Sequence, residues 1–131
     1  MGDLADYGKN YSLDQLFGSG NPSTFYIAAF TTMPAEDGTG GVEPSDDAYA
    51  RAVVANNASN FPAAASGTKS NAADILWPEA TEVWGDIVGI GLYDLASGGN
   101  LHALKTAPSP VNIIAGSRLH IAIGGLDITA D

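Results

Sequence analysis

Cysteine is missing from this chain. Disulfides and thiolate metal sites are therefore excluded, and stability has to come from packing or assembly. Such a composition fits a chain made in a reducing cytoplasm. Cations are almost as scarce: five Lys and Arg stand against fifteen Asp and Glu, a formal net charge of −10. Lys9, Arg51, Lys69, Lys105 and Arg118 are scattered rather than clustered. Phosphate binding needs grouped cations that release counterions, so nucleic acid is not an expected partner, and an anionic membrane is not either. Long apolar runs are also lacking; none approaches the ~18 residues that span a bilayer. The segment Met1-Gly-Asp-Leu-Ala-Asp6 has neither the basic start nor the apolar run of a targeting signal.

The 131 residues are enough for one domain with a real core. Residues 1–11 are polar, carry Tyr7 and Tyr11, and read as an arm. Ser12 reads as the cap of a short helix, with Leu13, Leu16 and Phe17 on one face and Gly18 as its stop. The expected organisation is an arm and short helix over 1–22, then a β-domain over 23–131. Within 23–32, Phe25, Ile27 and Ala29 alternate with Tyr26, Ala28 and Phe30, so this strand is apolar on both faces and central. Residues 33–47 form a long acidic loop with glycines at 38, 40 and 41, and 48–55 form a second strand.

Further strands are expected at 72–77, 86–93 and 101–106, with Asp94–Asn100 as a hairpin loop. Gly89 and Gly91 share a strand face, which leaves space for a large neighbour such as Trp77 or Trp84. Ala107-Pro-Ser-Pro110 reads as a turn, followed by a last hairpin over 111–123 with Leu119, Ile121 and Ile123 facing inward. Short strands at this spacing, without long amphipathic stretches, indicate an all-β fold: an antiparallel β-sandwich or jelly-roll-like domain.

Chemistry-bearing motifs are sparse. His102 and His120 are the only histidines, no Gly-x-Ser-x-Gly elbow exists, and both histidines sit among apolar strand residues. Two histidines without cysteine make a poor transition-metal set. Glu36, Asp37, Glu43, Asp46 and Asp47 offer hard oxygen ligands, but not at the spacing of a calcium loop, so a solvated loop is expected. The glycines there lack a Gly-Lys-Ser/Thr and have acidic neighbours, which excludes a phosphate loop. Fifteen acids always allow some carboxylate pair, and nothing singles one out. No catalytic residue, cofactor or metal ligand is assigned, and the chain is not expected to be an enzyme. Arg51 either pairs with the acidic loop, stacks on an aromatic ring, or contacts a partner subunit.

One ordered set of segments goes beyond composition. Phe25-Tyr-Ile-Ala-Ala-Phe-Thr-Thr32 is followed by Asp37-Gly-Thr-Gly-Gly-Val-Glu43 and Ala48-Tyr-Ala-Arg-Ala-Val-Val54. Then come Lys69-Ser-Asn-Ala-Ala-Asp-Ile75, Pro78 through Trp84-Gly85, Gly89-Ile-Gly-Leu-Tyr-Asp94 and Ser97-Gly-Gly-Asn-Leu101. Across residues 12–129 this order resembles a family of small tailed-bacteriophage virion proteins, tail-fibre-like or capsid decoration (cement) proteins. Pro44-Ser-Asp-Asp47 departs from the glycine-rich approach to Tyr-Ala-Arg typical of that family.

The resemblance implies a non-enzymatic building block of the virion, assembled in the host cytoplasm. Small size and the lack of a shaft-like repeat favour a cement protein on the outer capsid surface. Its expected partners are then the major capsid protein and itself, as dimer or trimer. The alternative is a tail-associated or fibre-like protein contacting the host. Tyr7, Tyr11, Leu16, Phe17, Tyr49 and Arg51 are the expected partner contacts, because aromatic and arginine anchors dominate interfaces.

Overall fold

A computed structural model describes residues 4–129. Among them lie one helix, α1 (Asp6–Leu16), and eight strands: β1 (Thr24–Phe30), β2 (Ala52–Ala55), β3 (Thr68–Ser70), β4 (Ile75–Leu76), β5 (Gly85–Tyr93), β6 (Leu101–Ile113), β7 (His120–Ile121) and β8 (Asp127–Thr129). The fold is all-β, as expected. One sheet has the order β2-β1-β5-β6, and β3–β8 and β4–β7 form two-stranded ladders. The pairings β1–β5, β5–β6 and β3–β8 are antiparallel. No helix among the described residues is long and apolar enough to cross a membrane.

The chain divides into two compact units. The first holds the segment through Thr24, Val54–Ile75 and the segment from Ile121 onward. Its helix begins at Asp6, not at Ser12. Tyr7 and Tyr11 are thus helical rather than part of an arm, and residues 1–3 of that expected arm lie outside the described residues. The pattern concealed the first turns because the inward face is polar. Asn10 Oδ1 accepts the Gly67 amide at 2.9 Å, and Asp14 Oδ1 accepts the Ala64 amide at 2.8 Å. Below them Leu13 and Phe17 are buried, and Phe17 meets Phe61 with ring centroids 6.0 Å apart.

Two buried asparagines organise the loops of this unit. Asn56 Nδ2 donates to the Leu16 and Pro22 carbonyls, both at 2.8 Å, and its Oδ1 accepts the Gly18 amide. Asn71 Nδ2 donates to the Ala73 and Ala122 carbonyls, and its Oδ1 accepts the Leu126 amide at 2.9 Å. A side-chain amide has both donors and an acceptor, so one residue satisfies several loop backbone groups at once.

The second unit comprises Phe25–Val53 and Leu76–His120. Phe25, Ile27, Ala28, Ala29 and Phe30 are all at most 1% exposed, so β1 is buried on both faces as its composition implies. In register with β5, Ile27 and Ala29 lie beside Leu92 and Ile90, while Ala28 and Phe30 lie beside Gly91 and Gly89. The space over the two glycines is not taken by tryptophan. A Cβ on Gly91 would collide with Phe30 and Leu101, and one on Gly89 with the Met33 thioether and, at 2.6 Å, the Lys105 carbonyl. Trp77 instead donates its Nε1 to the Ile27 carbonyl at 2.9 Å.

Strand β6 differs most from expectation. Ala107-Pro-Ser-Pro110 does not turn the chain; it lies within one strand. Pairing runs from Gly89↔Thr106 to Ile87↔Val111, so residues 107–110 bulge out of the ladder. Bulges accept the prolines that a regular ladder rejects. The expected hairpin over 111–123 is also absent, because β7 pairs with β4. Leu119 is buried, whereas Ile123 is 64% exposed.

Gly89→Ala is expected to destabilise the protein by about 2 kcal/mol, the usual scale of overpacking. Adding Met33→Ala should recover only part, since the Lys105 carbonyl is backbone. Urea unfolding of the single and double variants measures both.

Candidate functional site

The acidic loop is not simply solvated. Val42 O accepts the Thr31 amide at 2.8 Å, and Val42 N donates to Thr32 O at 3.0 Å. This closes the loop at its base, and Pro34 is buried within it. Beyond Val42 the chain turns two acids inward.

Glu43 and Arg51 form a two-pronged ion pair. Arg51 Nε donates to Oε1 and Nη2 to Oε2, both at 3.0 Å. The other guanidinium nitrogen, Nη1, donates to the carbonyls of Leu95 at 2.9 Å and Gly98 at 2.8 Å. The guanidinium carbon lies 3.9 Å from the centre of the Tyr93 ring. Tyr49 donates its hydroxyl to Glu43 Oε1 at 2.6 Å and accepts the Ala29 amide at 3.0 Å. Burial, reinforced by the Glu43 carboxylate, holds the Tyr49 hydroxyl far above the usual phenol range. That hydroxyl stays neutral and is a hydrogen-bonding element, not an acid.

Asp46 is buried and accepts five hydrogen bonds. They come from the amides of Ala48, Thr81 and Glu82, the Thr81 hydroxyl at 2.5 Å and Trp84 Nε1 at 3.0 Å. The Thr81 hydroxyl bond, joined by the others, holds this carboxyl well below the ordinary aspartate value. Trp84 also meets the Tyr49 ring edge-to-face at 5.2 Å.

The expected contact residues therefore separate into two groups. Tyr49 and Arg51 lie together, engaged with their own fold, and both structural roles weighed for Arg51 are realised. Phe17 is buried and Leu16 half-buried. Only Tyr7 and Tyr11, 81% and 54% exposed, present themselves to solvent. Their rings stack with centroids 6.3 Å apart on the helix face opposite Leu13. Leu4, which precedes the helix, is also exposed.

A family model described as Podophage GP4 fiber I protein gp80 matches residues 3–129, nearly the whole chain. The chain belongs to this family. No curated protein matches it. This gp80-family chain is therefore a structural protein of tailed-phage virions, tail-fibre-like in its family, as the resemblance implied.

Among the described residues of this gp80-family chain, no three His, Asp or Glu side chains converge on a possible metal position. His102 packs edge-on to Phe25 at 5.5 Å and sits 3.3 Å from Asp94 Oδ2. Among the described residues, no buried side-chain nitrogen or oxygen lacks a partner. Sequence reasoning missed the inward roles of Glu43 and Asp46, and the buried Lys69, which binds Asp14 at 2.7 Å. A lone arginine closing an acidic segment was the one available signal for Glu43.

Arg51→Ala is expected to cost about 3 kcal/mol, as for one partner lost from a buried pair. Arg51→Lys should be only partly rescued, because an ammonium cannot reproduce the fork. Chemical denaturation ranks the two. The depressed Asp46 carboxyl sets a pH dependence: the unfolded state, with an ordinary value of about 3.9, takes up the proton first. Its stabilisation is full above pH ~4 and is lost as pH falls through the lower folded value. Thermal melts from pH 2 to 6 should show a shallower acid decline for Asp46→Asn than for the parent, with Asp14, Asp37 and Asp94 supplying the rest.

Proposed function

We propose that this chain is a non-catalytic subunit of the phage fibre apparatus, held in the virion through contacts with other structural chains. The observation that carries this is the family match over residues 3–129, whose description names a fibre protein. The internal chemistry agrees with an assembly role. Glu43 and Asp46 are consumed in holding a loop, so they are not poised as acid, base or nucleophile. A particle component gains from stiff, internally satisfied loops, because preformed surfaces lose less entropy on assembly.

A capsid cement role is the second reading. It is favoured by the described elements, none of which reads as a fibre shaft: the helix spans only Asp6–Leu16, and the strands run from two to thirteen residues. In that role the chain would bind the major capsid protein outside the shell as a dimer or trimer.

Gold-labelled antibody on intact particles, followed by cryo-electron microscopy, separates the two. Label along the fibres is expected. Label distributed over the icosahedral shell overturns the fibre reading and supports cement. Sedimentation of the purified chain, predicted to be larger than a monomer in either role, measures self-association.

A further inference from the structure

Residues 76–84 and 113–120, all within the second unit, run side by side as an irregular antiparallel ribbon that starts at the β4–β7 pair. The Trp77 amide donates to the Leu119 carbonyl at 3.1 Å, the Ala80 amide to the Ser117 carbonyl at 2.8 Å, and the Trp84 amide to the Ile113 carbonyl at 2.9 Å. Trp77, Ala80, Trp84, Ile113 and Leu119 are buried and fix the inner side. Their chain neighbours face water. Val83 and Ile114 flank the Trp84–Ile113 bond and are 65% and 53% exposed, which places two bare β-branched side chains across the ribbon from each other. Glu79 and Arg118 flank the Ala80–Ser117 bond and are both exposed.

Glu79 and Arg118 stand across the ribbon yet do not pair within their own chain. Among the described residues, neither takes part in an ion pair. Arg51, the other arginine, is committed to Glu43, so Arg118 is the arginine presented to solvent. A net charge of −10 opposes contact between copies at random faces. Association of copies therefore needs a face that carries both signs. The ribbon has a carboxylate on one arm, a guanidinium on the other, and an apolar residue beside each.

We infer that the outer face of this ribbon is where a second copy of the chain docks, about a two-fold axis running along the ribbon. That axis lays arm 76–84 of one copy on arm 113–120 of the other. Val83 then meets Ile114 of the second copy and Glu79 meets its Arg118, and each contact occurs twice. An isologous contact requires this self-match, in which residue i meets j and j meets i. The apolar pairs lose water together, and the ion pairs fix the register. The inference rests on the reading of the chain as a self-associating virion subunit and names the surface through which copies meet.

Sedimentation equilibrium of the full chain at low salt should show a monomer–dimer equilibrium. It is followed up to about 500 µM, because contacts at the small end of interface size associate weakly. Arg118→Glu and Glu79→Arg should each weaken the dimer at least about tenfold, since each sets two like charges against each other. Mixing the two variants one to one should restore it, because both ion pairs re-form between unlike chains. Val83→Ser with Ile114→Ser should also weaken the dimer at least about tenfold through lost apolar burial. All four side chains are exposed, so thermal melts of the monomers should match the parent. A monomeric parent, a trimer, or a mixture that stays as weak as its components overturns the inference. A parent oligomer that survives in every variant overturns it too, while leaving self-association standing. Placement in the particle is judged separately by the gold label.

Discussion

The guanidinium of Arg51 is the point on which the second unit depends. It is a single cation that reaches three separate stretches of chain: Glu43 in the acidic loop, Leu95 and Gly98 in the β5–β6 hairpin, and the face of Tyr93 on β5. Only a planar fork with five donors serves so many acceptors at once. Because the pair is largely buried, it does not work by Coulomb attraction alone. Its lone pairs and protons are satisfied one by one, which offsets the cost of removing both charges from water.

That constraint explains why a glycine-rich, acidic segment becomes ordered. Val42 closes the loop base by backbone bonding, Glu43 is taken by Arg51 and Tyr49, and Asp46 gathers donors from 81–84. Loops usually stay at the surface because their backbone groups need water. Here side-chain carboxylates supply the acceptors, so part of the loop is drawn inward. The first unit uses neutral amides for the same purpose, with Asn56 and Asn71 collecting the loop backbone around them. Both units are held by polar side chains that serve backbone, which suits a chain rich in glycine and alanine.

Such wiring commits Glu43 and Asp46 to the fold itself. Among the described residues, Tyr7 and Tyr11 on α1 present exposed rings, and no strand pairs with the far edge of β6. A virion protein meets its neighbours at surfaces like these, where stiff backbone or rigid aromatic rings keep the entropy cost of association low.

The all-β class, the central position of β1, the β5 strand and the 94–100 hairpin loop were legible in the sequence, because apolar alternation and paired glycines are local signals. The ordered motifs also carried the family, since motif order is a property of the chain alone. Helix α1 was legible only from its last turns, because Asn10 and Asp14 face inward and break the apolar period. Strand β6 through Pro108 and Pro110 was not legible, because a bulge is defined by the partner strand. Nor could composition show that Glu43 and Asp46 turn inward while Glu36, Asp37 and Asp47 stay exposed. The sequence by itself determined charge, strand-forming segments and kinship. Only tertiary structure decided which acid meets which donor, because that choice joins residues far apart in the chain, and no local pattern encodes such a distance.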